Sequence, residues 1–314
     1  MDTAAAQPIS SADHARLTSR AAALSIGVAI LLVILKAWAW FASSSVAMLA
    51  SLADSTLDLA ASLITYFAVR YAAHPPDREH RFGHGKAEAF AGLMQGGLVA
   101  LSAVLIVIEA LPRLFVAAPV SHGFESLAVM VVSIVLTMAL VTAQTRTIRR
   151  TGSVATAADR LHYVGDLASN FAVMIGIGAG VYFGWAWADA AAALFVAAWL
   201  CWGALHVARE AADHLLDREL PDAQRQRIRE LVESDPRLGR VHDLRTRTSG
   251  PYTHIQFHVD LAPTLTLEEA HHIVVAAEDR VRAEFPTADL IIHPDPRGRA
   301  EPHGHEDFER AGHS

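Results

Sequence analysis

Six apolar runs, each long enough to cross a bilayer, occupy the first two thirds of this chain: Ala21 to Phe41, Val46 to Val69, Ala87 to Val116, Leu127 to Ala143, Leu161 to Phe183 and Ala190 to Val207. About 20 apolar residues suffice for a helix to span the hydrocarbon core. Backbone polar groups must be satisfied internally there, so the runs predict six transmembrane helices. A hydrophobic content of 52% and a mean hydropathy of +0.27 agree with a polytopic membrane protein.

The connections orient the spans. Arg70, Arg78, Arg81 and Lys86 follow the second run, and Arg146, Arg149, Arg150 and Arg160 follow the fourth, whereas the loops after runs one and five carry no Lys or Arg. Positive loops stay in the cytoplasm, which puts both termini inside. Trp38, Trp40, Trp185 and Trp187 cluster at the uncharged loops, as an outer aromatic belt would. The expected organisation is an N-terminal cytoplasmic segment (1–20), a six-helix membrane domain (21–209), a cytoplasmic metal-binding domain (210–296) and a disordered tail (297–314) that holds His303, His305 and His313.

Beyond Pro221 the pattern changes. Ile228, Leu231 and Val232 mark one face of a short helix, and Val241 to Thr248 and Thr253 to Leu261 read as a hairpin. A helix from Leu267 to Phe285 and a strand from Asp289 to His293 follow. The order α-β-β-α-β makes a two-layer α+β domain.

Ionisable residues inside the apolar runs carry the chemistry. Asp54 and Asp58 stand four apart in the second run, and His162 and Asp166 repeat the spacing in the fifth. On a helix each pair shares one face. A charge at mid-membrane costs roughly 2.5 to 3.5 kcal/mol on insertion scales, so four ionisable groups need a task. Three carboxylates and one imidazole suit a tetrahedral Zn2+ site. Protons would compete with metal for the same groups, and competition at one alternately exposed site amounts to antiport. Lys36, in the first run, reads as a snorkelling lysine whose amine reaches water or a carbonyl.

Two more groups of candidate ligands lie outside the runs. Asp77, His80 and His84 are spaced to wrap one cation on the loop after the second run. His242, His258, His271, His293 and Asp295 come from four elements of the soluble domain, with His254, Glu268 and His272 as alternatives close in sequence. Cys201 is the single cysteine, which excludes a thiolate cluster. A net charge of −7 gives no support for nucleic-acid binding, and no nucleotide loop or nucleophile motif points to an enzyme.

Leu52-Ala53-Asp54-Ser55-Thr56-Leu57-Asp58, Phe82-Gly83-His84-Gly85-Lys86-Ala87-Glu88, His162-Tyr163-Val164-Gly165-Asp166, Leu215-Leu216-Asp217-Arg218-Glu219-Leu220-Pro221 and His242-Asp243-Leu244-Arg245-Thr246-Arg247 together resemble the cation diffusion facilitator family, in particular its bacterial zinc and iron efflux members. The resemblance implies a homodimeric metal/proton antiporter of the inner membrane whose cytoplasmic domain is similar to metallochaperones. It implies transport of Zn2+, with Cd2+ or Fe2+ as companions, at Asp54, Asp58, His162 and Asp166. It further implies a loop site at Asp77, His80 and His84, a two-metal cytoplasmic site at His242, His258, His271, His293 and Asp295, and a salt bridge of Lys86 with Asp217 at the dimer junction. Pro294 departs from the family, since close relatives carry glutamine there. A passive metal channel and a membrane-anchored metal sensor are the competing readings.

Overall fold

The computed structural model describes residues 10–43, 46–114, 124–183, 185 and 187–298. The first nine residues, the loop 115–123 and the tail with its three histidines lie outside the described residues. The helices are α1 (Ser11–Ser43), α2 (Val46–Ala72), α3 (Lys86–Arg113), α4 (Phe124–Thr151), α5 (Val154–Phe183) and α6 (Ala188–Leu215). After them come α7 (Asp222–Glu233), β1 (Val241–Ser249), β2 (Tyr252–Leu261), α8 (Leu267–Glu284) and β3 (Ala288–Pro296). The chain divides into two compact units that part between Leu215 and Leu216.

In the first unit the helices outrun the apolar stretches that announce them. α1 is already helical at Ser11, within the expected lead-in, because His14 and Thr18 bury one face and the Thr18 hydroxyl bonds back to the His14 carbonyl at 2.9 Å. α5 likewise starts at Val154, seven residues before its apolar run, and carries Asp159, Arg160 and Asp166 along its first half. The other five long helices are apolar and long enough to cross a membrane. Their outward faces show Phe90, Leu101 and Ile108 on α3 and Phe195 and Trp202 on α6, an apolar surface suited to lipid.

Inside, Val99 and Ala103 of α3, Ala172 of α5 and Val196, Leu200 and Ala204 of α6 form a buried cluster. Small residues let membrane helices approach closely where no hydrophobic driving force separates protein from lipid. The α5/α6 contact shows this reciprocally. A Cβ at Gly165 would lie 2.7 Å from Leu200 Cδ2, and one at Gly203 would lie 2.8 Å from Leu161 Cδ1, so each helix seats a leucine over the other's glycine.

The second unit is a three-stranded sheet of order β1-β2-β3. β1 and β2 pair antiparallel across a two-residue turn, and α8 returns the chain so that β3 runs parallel to β2. Ile228 and Val232 of α7, Val274, Ala277 and Val281 of α8 and Ile255, Phe257 and Val259 of β2 fill the core on one face of the sheet. The start of α8 is fixed by a capping box, in which the Thr266 hydroxyl accepts from the Glu269 N–H while Glu269 answers on the Thr266 N–H.

β3 runs to Pro296 and so extends past Pro294, where the sequence suggested a stop. Arg297 donates its N–H to the Leu261 carbonyl. By alternation the N–H groups of residues 293 and 295 face β2, and positions 294 and 296 face outward. The two prolines thus cost no ladder bond.

Candidate metal centres

α2 and α5 bring three of the four intramembrane candidates together. His162 Nε2 lies 2.9 Å from Asp58 Oδ1 and 4.0 Å from Asp166 Oδ2. One ligand atom from each of the three lies within 4.8 Å of the others. Helical spacing puts His162 and Asp166 on one face of α5, and the α2/α5 contact sets Asp58 opposite them. Asp54, one turn earlier on α2, is exposed and stands outside this group. Lys36 finds α2 rather than a carboxylate, donating to Ser55 Oγ at 2.6 Å and to the Ser51 carbonyl at 3.3 Å.

The structure adds buried polar groups that the sequence reading passed over. Asp159, three residues before His162, accepts from side chains of three other helices. Glu88 at the start of α3 accepts from the Ser153 hydroxyl, which also bonds Thr156 at 2.9 Å. Asp159 falls just ahead of the apolar run that was read as the fifth span, and Glu88 follows a charged loop. Neither stood out as an intramembrane charge.

On the loop, His80 Nδ1 and His84 Nε2 lie 3.4 and 3.3 Å from the two oxygens of Asp77, with the imidazole rings 4.6 Å apart. His84 is buried and packs edge-on against Tyr71. The backbone N–H of His80, at 2.6 Å, is the main cause that holds the Asp77 carboxyl below its usual range, helped by the Glu79 N–H. An anionic oxygen flanked by two imidazoles is a reasonable cation donor set.

In the soluble unit the ligands gather on the sheet face opposite the core. β1 carries a bulge between His242 and Arg245, with Asp243 at φ 49°, and such bulges re-aim neighbouring side chains. His242 Nε2 and His258 Nδ1 lie 3.5 and 2.9 Å from Asp295 Oδ2, while His293 Nε2 lies 3.3 Å from the other oxygen. His271 does not join them in this chain. It sits exposed on α8, which packs on the other face of the sheet. His254 pairs with Asp289 at 3.2 Å towards the start of β2. Within the first unit Lys86 donates to the Leu215 carbonyl at 3.2 Å, and within the second Asp217 accepts from Arg247, also at 3.2 Å.

All three clusters offer imidazole and carboxylate donors, a set suited to zinc and its neighbours. Residues 22–216 match the family described as Cation efflux transmembrane domain, and residues 220–297 match Cation efflux protein, cytoplasmic domain. The chain is 41% identical over 283 residues to the cation-efflux pump FieF of Salmonella arizonae, covering 90% of this chain and 94% of that protein. The figures are the same for FieF of Salmonella typhimurium. A solved structure of CzrB in its zinc form is 32% identical, covers 27% of this chain and 98% of its own, and superposes with a TM-score of 0.26. Carrying both domains of this transporter type in order, the chain belongs to the cation diffusion facilitator family, a multi-pass membrane protein that moves divalent metal cations out of a compartment.

Proposed function

We propose that this protein exports Zn2+, with Cd2+ or Fe2+ as companion substrates, across the bacterial inner membrane in exchange for protons. The observation that carries the reading is the meeting of Asp58, His162 and Asp166 from the long helices α2 and α5. A metal ion and protons would occupy the same lone pairs, so loading one releases the other. If the site opens alternately to the two sides, the proton gradient drives metal outward. Asp54, one turn from Asp58, would complete a four-ligand shell after a modest movement of α2. A single compact cluster at membrane depth favours alternating access over a hydrated pore lined by several weak sites.

The loop trio and the His242, His258, His293 and Asp295 cluster then serve as regulatory zinc sites. The match to the family's cytoplasmic domain supports a homodimer joined through the second unit. Lys86 of one protomer and Asp217 of the other would pair at the junction with the membrane. Both termini face the cytoplasm in this reading.

Uptake of zinc, cadmium, iron(II) and manganese into proteoliposomes tests it, with and without an imposed pH gradient, for the wild type and Asp58→Ala. Gradient-driven zinc flux that is lost in Asp58→Ala is the expected result. Flux indifferent to the gradient but blocked by the substitution would make the protein a channel. Absence of flux with metal still bound to the second unit would make it a sensor.

A further inference from the structure

Asp159 is almost wholly buried, at 1% exposure, although it lies on a membrane helix. Such a carboxylate is costly unless it is fully hydrogen-bonded. Its Oδ2 accepts from the Ser25 hydroxyl of α1 at 2.6 Å and from Gln144 Nε2 of α4 at 2.8 Å, and its Oδ1 accepts from Gln95 Nε2 of α3 at 3.2 Å. Gln144 also reaches Ser25 Oγ at 3.1 Å, which closes a triangle.

The residue on the far side of His162 acts in the same sense. The Tyr163 hydroxyl lies 2.8 Å from Ser62 Oγ on α2 and donates to the Ser25 carbonyl at 3.4 Å. Ser62 is one turn along from Asp58. His162 is therefore held between two residues that together reach α1, α2, α3 and α4.

The geometry matters because helix positions are coupled. Moving α5 by one residue means a 1.5 Å translation and a 100° turn, which would take His162 off Asp58. The Gly165/Leu200 and Gly203/Leu161 packing restrains such motion only against α6. Hydrogen bonds do restrain it, because they fail within a few tenths of an ångström and below about 120°. Three donors approaching one carboxylate from three helices fix both the roll and the depth of α5.

We infer that Asp159 is a positioning residue for the metal site: by gathering Ser25, Gln95 and Gln144 it holds α5 where His162 and Asp166 face Asp58. The inference rests on the reading of that trio as the transport site. Loosening α5 widens the spread of ligand positions, so the site loses affinity for the small Zn2+ more than for the larger Cd2+. The metal preference is thus set partly by a carboxylate that never touches the ion.

The test is zinc and cadmium transport by the full chain in proteoliposomes, with KM and kcat measured separately, for Asp159→Asn, for the exchange Asp159→Asn with Gln144→Glu, and for Asp58→Ala. Supporting partners of metal ligands typically change affinity by 10–100-fold. Asp159→Asn is therefore expected to raise the zinc KM by about tenfold, to raise the cadmium KM less and to lower kcat little. The exchange restores an acid–amide pair and should return the zinc KM close to its wild-type value. Should Asp159→Asn fail to fold, Gln95→Ala and Gln144→Ala each remove one donor and should shift the two KM values in the same direction.

A folded Asp159→Asn protein with wild-type KM values and zinc-to-cadmium ratio overturns the inference, even if its thermal stability falls, because packing alone would then explain the residue. An exchange variant that folds without recovering KM overturns it as well. Zinc flux that survives Asp58→Ala removes the transport-site reading and this inference with it. Loss of flux in Asp58→Ala beside an unmoved KM in Asp159→Asn removes the inference alone.

Discussion

Substituting Gly165 by valine should weaken the protein and its metal site together, because this glycine lies between His162 and Asp166 on α5. A Cβ at this position meets Leu200 Cδ2 at 2.7 Å and Cδ1 at 3.4 Å. Carbon pairs prefer about 3.5–4.0 Å, so the leucine must retreat by about 1 Å before the two further valine carbons are accommodated. Leu200 is only 3% exposed and has little room. Overpacking of this kind costs about 1–3 kcal/mol, or roughly 2–12 °C in melting temperature for a unit of this size. Alanine should already cost part of this, because its Cβ makes the same 2.7 Å contact, and its better helix propensity, worth about 1 kcal/mol, offsets only some of the clash.

Thermal unfolding of the detergent-solubilised chain, paired with zinc transport, reads both effects. Leu200→Ala alone should destabilise by about 2–5 kcal/mol. Combined with Gly165→Val it should cost less than the sum, with a coupling of about 0.5–3 kcal/mol. Wild-type melting and transport in Gly165→Val would refute the close α5/α6 contact, as would simple additivity with Leu200→Ala.

Other outcomes follow from the second unit. Asp235 accepts from Arg237 Nη2 at 2.7 Å and from Arg280 Nη1 at 3.2 Å, and the Arg237 guanidinium is the main cause that keeps its carboxyl well below the usual range. Arg237 is itself exposed, so Asp235→Asn should cost only about 1–2 kcal/mol at pH 7. A depressed carboxyl contributes fully above its unfolded value near 4 and loses that contribution as pH falls towards the folded value, so the deficit should shrink below about pH 4. Melting curves of both proteins across pH would check this. Thr266→Ala breaks the capping box of α8 and should lower stability by about 1 kcal/mol in denaturant unfolding. His258→Ala, placed in an Asp58→Ala background to silence the membrane site, should reduce zinc affinity at least about tenfold by calorimetry.

Much of this architecture is legible in the sequence, for reasons that differ by region. Membrane helices announce themselves by length and apolarity, and β2 by the alternation of Ile255, Phe257, Val259 and Leu261. Helix ends were less legible. The first turns of α1 are polar, those of α5 are mostly alanine with Asp159 and Arg160 close behind, and Ser153 ahead of α5 meets its buried partner Glu88 only after folding. The spacing of Asp58, His162 and Asp166 named a cluster, but their approach depends on how α2 meets α5, and that packing leaves Asp54 aside. His271 belonged to the right domain by composition, yet it sits on the helical layer while His242 and His258 occupy the opposite face of the sheet. Asp159 was hidden for a related reason. Its donors lie 15, 64 and 134 residues away along the chain, and no local pattern joins them.

The outward-facing prolines of β3 bear on how two copies of this domain can meet. An unpaired strand edge ordinarily offers a row of N–H groups that a second sheet can extend, and proteins blunt such edges deliberately. With Pro294 and Pro296 at successive outward positions, β3 cannot donate there, so a second sheet could not extend it in one ladder along its full length. Association is thereby directed towards a face of the sheet, a helix or the β1 edge, and the face opposite α7 and α8 is the one that carries His242, His258 and Asp295.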